Sequence, residues 1–263
     1  MDLGLEGKVA LVLAASKGLG RASAAALAME GATVVIGSRN QSELEQTAQA
    51  IAEESGSQVI PIPVDVTQME TVEAIVAKTV QEFGRIDILV NNAGGPPFGR
   101  FETFDDAQWQ AAFELSLLSV VRFSRLVLPY MRQVGGGRII NIISLSVKTP
   151  LAGGVLSMSM RMGVVGVAKQ LADELGPDNI TVNNIASGII LTDRVRETAL
   201  KDKLAQGMSQ EEAVAAIAQT IPLRRVGQPH ELAALVAFLA SEQAGYITGT
   251  TIQIDGGLVR SVY

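Results

Sequence analysis

Short apolar runs alternate with amphipathic segments along nearly the whole chain. Residues 9–14 (Val-Ala-Leu-Val-Leu-Ala) form an uninterrupted apolar run of strand length, the pattern of a strand buried on both faces. A turn holding Gly18 and Gly20 follows, and the Ala-rich stretch 21–30 predicts a helix stopped by Gly31. The rhythm then repeats. Strands are predicted over 32–37, 58–64, 86–91, 138–143, 180–186 and 251–254, and helices over 41–55, 67–83, 105–131 and 155–175. Alternating strands and helices imply a parallel sheet with helices on both faces and right-handed crossovers. The predicted fold is α/β, a doubly wound seven-stranded sheet in a single domain spanning 1–263. One stretch, 193–227, leaves the rhythm. It reads as two short helices, the second opened by the capping-box pattern Ser209-Gln-Glu-Glu212. Because it follows the C-terminal end of a strand, where open α/β sheets bind ligands, it is either a helical lid over a pocket or a plain surface hairpin.

Composition narrows the chemistry. The chain has 263 residues, 48% of them hydrophobic, enough for a large core. Its net charge of -6 argues against nucleic acid and acidic membranes as partners. With no Cys, disulfides, thiolate metal sites and Cys nucleophiles are excluded; with His230 as the sole His, so is a multi-His metal site. His230 follows Gln228-Pro229 at a helix start and reads as structural. No signal peptide or membrane span is read, so a cytoplasmic location is expected.

The first strand–turn–helix unit carries the clearest chemistry. Glycines at such a turn let backbone N–H groups approach a pyrophosphate, and the helix N-terminus adds partial positive charge. The alternative is an ordinary strand-to-helix turn. Folds of this kind that take NAD place an Asp or Glu roughly 20 residues beyond the glycines. Here the second strand ends Gly37-Ser38-Arg39-Asn40, without a carboxylate. Arg39 and Lys17 are two cations able to grip a 2′-phosphate, which predicts NADP(H) as cofactor. Each taken alone also reads as a solvated surface cation. Asp65, at the end of the third strand, is placed either to accept from an adenine amino group or to serve near a helix N-cap.

Taken together, the motifs resemble the short-chain dehydrogenase/reductase family. They are the glycine turn, Asp65-Val66, Asn91-Asn-Ala-Gly94, the run from Gly137 to Ser144, Ile180-Thr-Val-Asn183, Leu191-Thr-Asp193, Gly227-Gln-Pro229, Ile247-Thr-Gly249 and Asp255-Gly-Gly257. The resemblance implies a homotetramer moving hydride between a nicotinamide and an alcohol/carbonyl pair. It also implies cofactor contacts at Ser16, Leu19, Ser38, Val66, Asn92, Ala93, Gly94, Arg161, Gly188, Ile190 and Thr192, besides Lys17, Gly18, Gly20, Arg39 and Asp65. The chain departs from the family in two places. Leu13 and Ala14 stand where Thr-Gly opens the nucleotide turn. The family's Asn, Ser, Tyr and Lys positions read Ser116, Ser144, Ser157 and Arg161, and no Tyr lies between Ser144 and Arg161. This pattern is similar to a divergent subgroup called 3-oxoacyl-acyl-carrier-protein-reductase-like.

Arg161 remains protonated and cannot relay a proton, and the Ser157 alcohol is a far weaker acid than a phenol. Ser144, Ser157 and Arg161 can still stabilise a developing oxyanion. Lys148, four residues after Ser144, is a candidate replacement acid; the alternative is a solvated loop lysine. Two functions follow: an NADP(H)-dependent carbonyl reductase with a non-standard catalytic set, or a lapsed cofactor-binding subunit. Gly135 and Asp178 stand where related reductases carry arginines for an acidic carrier protein, although Arg122, Arg125 and Arg132 remain. A small free carbonyl compound is therefore the expected substrate. Trp109 and Phe113, spaced i and i+4, read as packing, and Tyr246 as an interface residue. Met158, Met160 and Met162 alternate within a helix and so cannot share one face.

Overall fold

A computed structural model describes residues 2–261. Its strands are β1 (Val9–Leu13), β2 (Thr33–Ser38), β3 (Val59–Pro63), β4 (Ile88–Asn91), β5 (Gly137–Ser144), β6 (Ile180–Ser187) and β7 (Thr251–Ile254). They pair in the order β3-β2-β1-β4-β5-β6-β7, all parallel. The helices are α1 (Gly18–Met29), α2 (Gln41–Ser55), α3 (Met69–Phe83), α4 (Asp106–Phe113), α5 (Ser119–Gln133), α6 (Val155–Leu175), α7 (Asp193–Glu197), α8 (Lys201–Ala205), α9 (Gln210–Ala218) and α10 (Pro229–Ala240). No helix among the described residues is long and apolar enough to cross a membrane.

Continuous apolar runs become double-sided strands because each feeds two cores. In β1, Ala10 and Val12 join the core under α1, α2 and α10, whereas Leu11 and Leu13 join the core under α3, α5 and α6. Every one of the five β1 residues is buried. Reversing the alternation would exchange the two cores, so the register is strongly specified. Strand β1 lies between β2 and β4, and the chain leaves β1 toward one edge and β4 toward the other. The crevice between their C-terminal ends is the topological switch point, where ligands of open α/β sheets bind.

Two expectations need correction. The helix predicted over 105–131 is not uniform: a π turn, Glu114–Leu118, joins α4 to α5. A wide turn of this kind has no signature in hydrophobic spacing. The 193–227 stretch holds three short helices rather than two. The Ser209–Glu212 capping box opens α9 as predicted, with Glu212 N donating to Ser209 Oγ and Ser209 N to Glu212 Oε2. These helices surround a small core of their own, including Leu200, Ala213, Ile217 and Ile221.

Candidate active site

The turn after β1 is held in place by close approaches that side chains would forbid. Gly18 has φ +59°, and a Cβ on Gly20 would lie 2.3 Å from the Ala14 carbonyl oxygen. Only hydrogen at Gly20 lets α1 sit this close to β1. Ala14 itself takes φ +49°, a left-handed conformation that disfavours any Cβ. The turn is braced from three directions. Asn92 Nδ2 donates to the Leu13 and Ala14 carbonyls at 3.2 and 3.4 Å. Thr47 Oγ1 donates to the Ser16 carbonyl at 2.8 Å. The Thr192 methyl would stand 3.6 Å from a Cβ on Gly18. Thus Ser16, Gly18, Asn92 and Thr192, far apart in sequence, meet at the crevice. Leu19 packs against the α1-side core.

The ends of β2 and β3 form one flank. Ser38 is buried, and its hydroxyl has no hydrogen-bond partner. Lys17 and Arg39 are exposed, and neither joins an ion pair among the described residues. Asp65 is not the N-cap of α3, which is Gln68. Its Oδ1 accepts from Thr67 N and Thr67 Oγ1, and no bond to its Oδ2 is seen among the described residues. Val66 is buried beside the α3-side core.

The other flank carries the groups expected to do chemistry. Ser144 ends β5, in register with Ser187 of β6, and its Oγ accepts from Ser146 N at 3.2 Å. Ser157 is buried on α6, and its Oγ accepts from Arg161 Nη1 at 2.8 Å. Each hydroxyl therefore has a lone pair engaged and a proton left to donate. Arg161 is partly buried and lines a small cleft with Asn92, Ala93 and Ser116. Burial first, and the nearby Arg194 guanidinium second, bring its pKa down to about 10, so it stays cationic at neutral pH. Ser116 lies within the π turn, buried and with an unpaired hydroxyl. Lys148 follows the 3-10 turn Leu145–Val147 and joins no ion pair among the described residues. Among the described residues no phenol takes the place of the family's Tyr: Tyr130 packs against the core and Tyr246 is fully exposed.

Segments 187–192 and 224–231 close the far side. A Cβ on Gly188 would lie 2.6 Å from Asp255 Cα, so β6 leaves the sheet against backbone. Ile190 bridges to Gly227, and Leu191 N donates to the Gly227 carbonyl. Arg225 grips Glu231 through both nitrogens at 2.7 and 2.6 Å. That guanidinium, with the Gln228 N–H, holds the Glu231 carboxyl down to about 2. The 193–227 stretch is thereby tied at its base on both sides. Gly94 has open space around it, whereas Gly95 lies against Arg194.

Sequence reading missed three features. Arg194 reaches across the crevice: its Nη2 donates to the Pro96 carbonyl at 2.7 Å, and its guanidinium lies 5.9 Å from the Phe98 ring centre. Its place directly after Leu191-Thr-Asp193 was the available signal. The π turn around Ser116 was the second. The third is an amide ladder. Asn91 donates to Asn141, Asn141 to Asn184 and Asn184 to Thr251, at 2.8, 2.9 and 3.1 Å across four strands in register. It required strand register, which the linear sequence does not display.

Comparison with known proteins agrees with this architecture. Residues 13–259 match a family model described as enoyl-(acyl carrier protein) reductase. A 3-oxoacyl-[acyl-carrier-protein] reductase of Thermotoga maritima is 36% identical over 255 residues, covering 97% of this chain and 99% of that protein. The crystal structure of L-sorbose reductase from Gluconobacter frateurii with NADPH and L-sorbose is 35% identical. It superposes with a TM-score of 0.96 over all of both chains. An NADPH complex of an actinorhodin polyketide ketoreductase variant is 34% identical, with a TM-score of 0.89 over 97% of this chain and 98% of that one. The chain belongs to the short-chain dehydrogenase/reductase family and is an oxidoreductase by that membership.

Proposed function

We propose that this protein is an NADP(H)-dependent oxidoreductase interconverting a small free carbonyl compound and its alcohol, with Ser144, Ser157 and Arg161 in place of the usual catalytic set. One observation carries the reading. Arg161 lines the same cleft as Asn92 and Ala93 and also bonds Ser157, so the nucleotide turn and the candidate catalytic helix meet at one guanidinium.

The residues present fit NADP(H). Ser38 has a buried hydroxyl without a partner, and Arg39 and Lys17 flank it in sequence and across the turn. A 2′-phosphate supplies acceptors for all three, and charge-assisted hydrogen bonds to it are roughly twice as strong as neutral ones. Gly18, Leu19 and Gly20 open α1 toward a pyrophosphate, with Ser16 and Thr192 beside them. Asp65 and Val66 border the adenine side, and Ala93, Gly94, Gly188 and Ile190 the nicotinamide side.

When bound, the cofactor supplies a hydride to the carbonyl carbon. The chain's residues manage the oxygen. As the C=O electron pair moves onto oxygen, the Ser144 and Ser157 hydroxyls donate to it. The fixed positive charge of Arg161 stands behind Ser157 and needs no reorganisation. One proton completes the alcohol, from water or from Lys148. A Lys148→Met variant separates the two: a fall of ~10²-fold assigns the proton to Lys148, and an unchanged rate assigns it to water.

An acyl-carrier substrate is disfavoured by two of the three remaining arginines. Arg132 is paired with Asp178 at 2.7 Å, and Arg122 donates to the Thr67 carbonyl. The segment 193–227 acts as a lid and the protein as a homotetramer, with exposed Tyr246 at a subunit contact; sedimentation velocity checks the assembly. The second reading, a lapsed cofactor-binding subunit, draws on the missing phenol. Rapid mixing with NADPH and a carbonyl panel decides between them: oxidation of NADPH supports the reductase, and binding without oxidation supports the subunit.

A further inference from the structure

The amide ladder ends at the crevice. Leu89, Ile139 and Val182 belong to the core under α3, α5 and α6. Asn91, Asn141 and Asn184 come two residues later on the same strands and so face the same helices. Each amide donates toward β7, which leaves the oxygen end of the ladder at Asn91. Asn91 is only 2% exposed, and its Oδ1 has no hydrogen-bond partner among the described residues. Ser116, 6% exposed, also keeps an unpartnered hydroxyl. Its neighbour behaves differently: Ser119 Oγ donates to the Leu115 carbonyl, four residues back, at 2.6 Å. Ser116, inside the π turn, makes no such bond. Asn91, Ser116, Ser119 and Arg161 all line one cleft. Two unsatisfied polar groups in one buried place are costly unless something joins them.

We propose that Asn91 and Ser116 are positioning residues for Arg161, holding one water between Asn91 Oδ1, the Ser116 hydroxyl and a guanidinium N–H. The space suits this: the cleft gives about 20 Å³ to the centre of a water, and one water needs roughly 10–15 Å³. The chemistry suits it too. A water donates to the Asn91 oxygen, accepts from Arg161 and pairs with the Ser116 hydroxyl in either sense, so it has three partners. The direction of the ladder fits the cation. Turning every amide over would preserve three bonds along the ladder, with Thr251 donating, but would present the Asn91 NH2 group to a cleft lined by a guanidinium. In the direction adopted, each bond polarises the next, and the negative end lies at the cleft that Arg161 lines. Arg161 Nη1 is spent on Ser157, so the water holds another edge of the same planar group. Two anchors then fix one orientation of the guanidinium. The consequences for cofactor binding and rate rest on the oxidoreductase reading above.

A ribose hydroxyl of the cofactor offers the same donor and acceptor, so the full chain is crystallised both with and without NADP(H). One water is expected in both crystals, within ~2.7–3.2 Å of Asn91 Oδ1, Ser116 Oγ and an Arg161 nitrogen. A cleft holding no water, or a cofactor hydroxyl in its place, would overturn the proposal. Calorimetry with NADPH supplies a second arm. Ser116→Ala should lower NADPH affinity ~3- to 10-fold, the effect of one hydrogen bond, with kcat falling alongside it. Ser116→Thr keeps the hydroxyl and should restore both. Ser119→Ala removes a hydroxyl from the same cleft wall that is already spent on Leu115, and should change neither. Equal losses in the two alanine variants would refute the positioning role. So would a lower melting temperature in Ser116→Ala with affinity and kcat unchanged, because Ser116 would then only pack the turn. The water is sought in the unaltered protein, so a variant that misfolds leaves that arm decisive. Failure of the unaltered chain to bind NADPH refutes the oxidoreductase reading, and the crystal without cofactor then decides the water site by itself.

Discussion

The two flanks of the crevice differ in what they preserve. At the ends of β1 to β3, geometry is conserved by backbone: Gly18 and Gly20 hold the turn, and even Ala14 accepts φ +49° to keep its shape. At β5 and α6, geometry is kept by a regular strand and helix while the proposed reacting groups are different, with Ser157 and Arg161 where the family resemblance implies a phenol and an ammonium. A turn built on glycine tolerates few alternatives because the constraint is steric. A proton-transfer site can keep its electrostatics while losing its acid, because a guanidinium and two hydroxyls still offer positive potential to an oxyanion.

Steric disruption of the first flank gives the largest effect. Gly20→Val places a branched side chain against the Ala14 carbonyl, and thermal melting should show a loss of about 3–5 kcal/mol, with NADPH binding abolished. Disrupting the second flank leaves the fold intact. Ser157→Ala should lower kcat ~10²–10³-fold with the NADPH dissociation constant unchanged, read by single-turnover kinetics and calorimetry.

Between these lies cofactor choice. Replacing Lys17 and Arg39 together by Gln should cost NADPH about 10- to 100-fold in affinity and leave NADH unchanged, so that the ratio of the two dissociation constants reports the loss.

Arg161 links function to stability with opposite signs. Its folded pKa, about 10, lies well below the ordinary guanidinium value. Below pH 10 the buried cation is a cost, and Arg161→Met should raise stability by about 1 kcal/mol while lowering turnover. As pH rises through 10, the folded chain releases its proton before the unfolded chain does. Wild-type stability then gains on the variant, and chemical denaturation from pH 7 to 11 should show the gap narrowing. The smallest effect belongs to Ala14→Gly. It relieves the left-handed strain but adds chain entropy to the unfolded state, and melting should shift by only about 1–2 °C.

Much of this was legible in the sequence. The five-residue run of β1 is apolar throughout because both faces are covered, so its period was readable without the fold. Helices α2 and α6 begin and end where composition placed them, Gln41–Ser55 and Val155–Leu175. Gly18 and Gly20 were readable because each is a statement about residue type. Arg194, the π turn around Ser116 and the amide ladder were not, because their meaning lies in through-space neighbours. Arg194 meets Pro96, 98 residues away, and Ser116 owes its inward aim to a π turn that leaves the apolar period nearly undisturbed.

The most direct test mixes purified protein and NADPH with a panel of small carbonyl compounds and follows the nicotinamide absorbance through one turnover, beside Ser157→Ala. The account predicts stoichiometric oxidation by the wild type and a rate at least 100-fold lower in the variant at equal NADPH occupancy. Tight NADPH binding with no oxidation, or equal rates in both proteins, would contradict it.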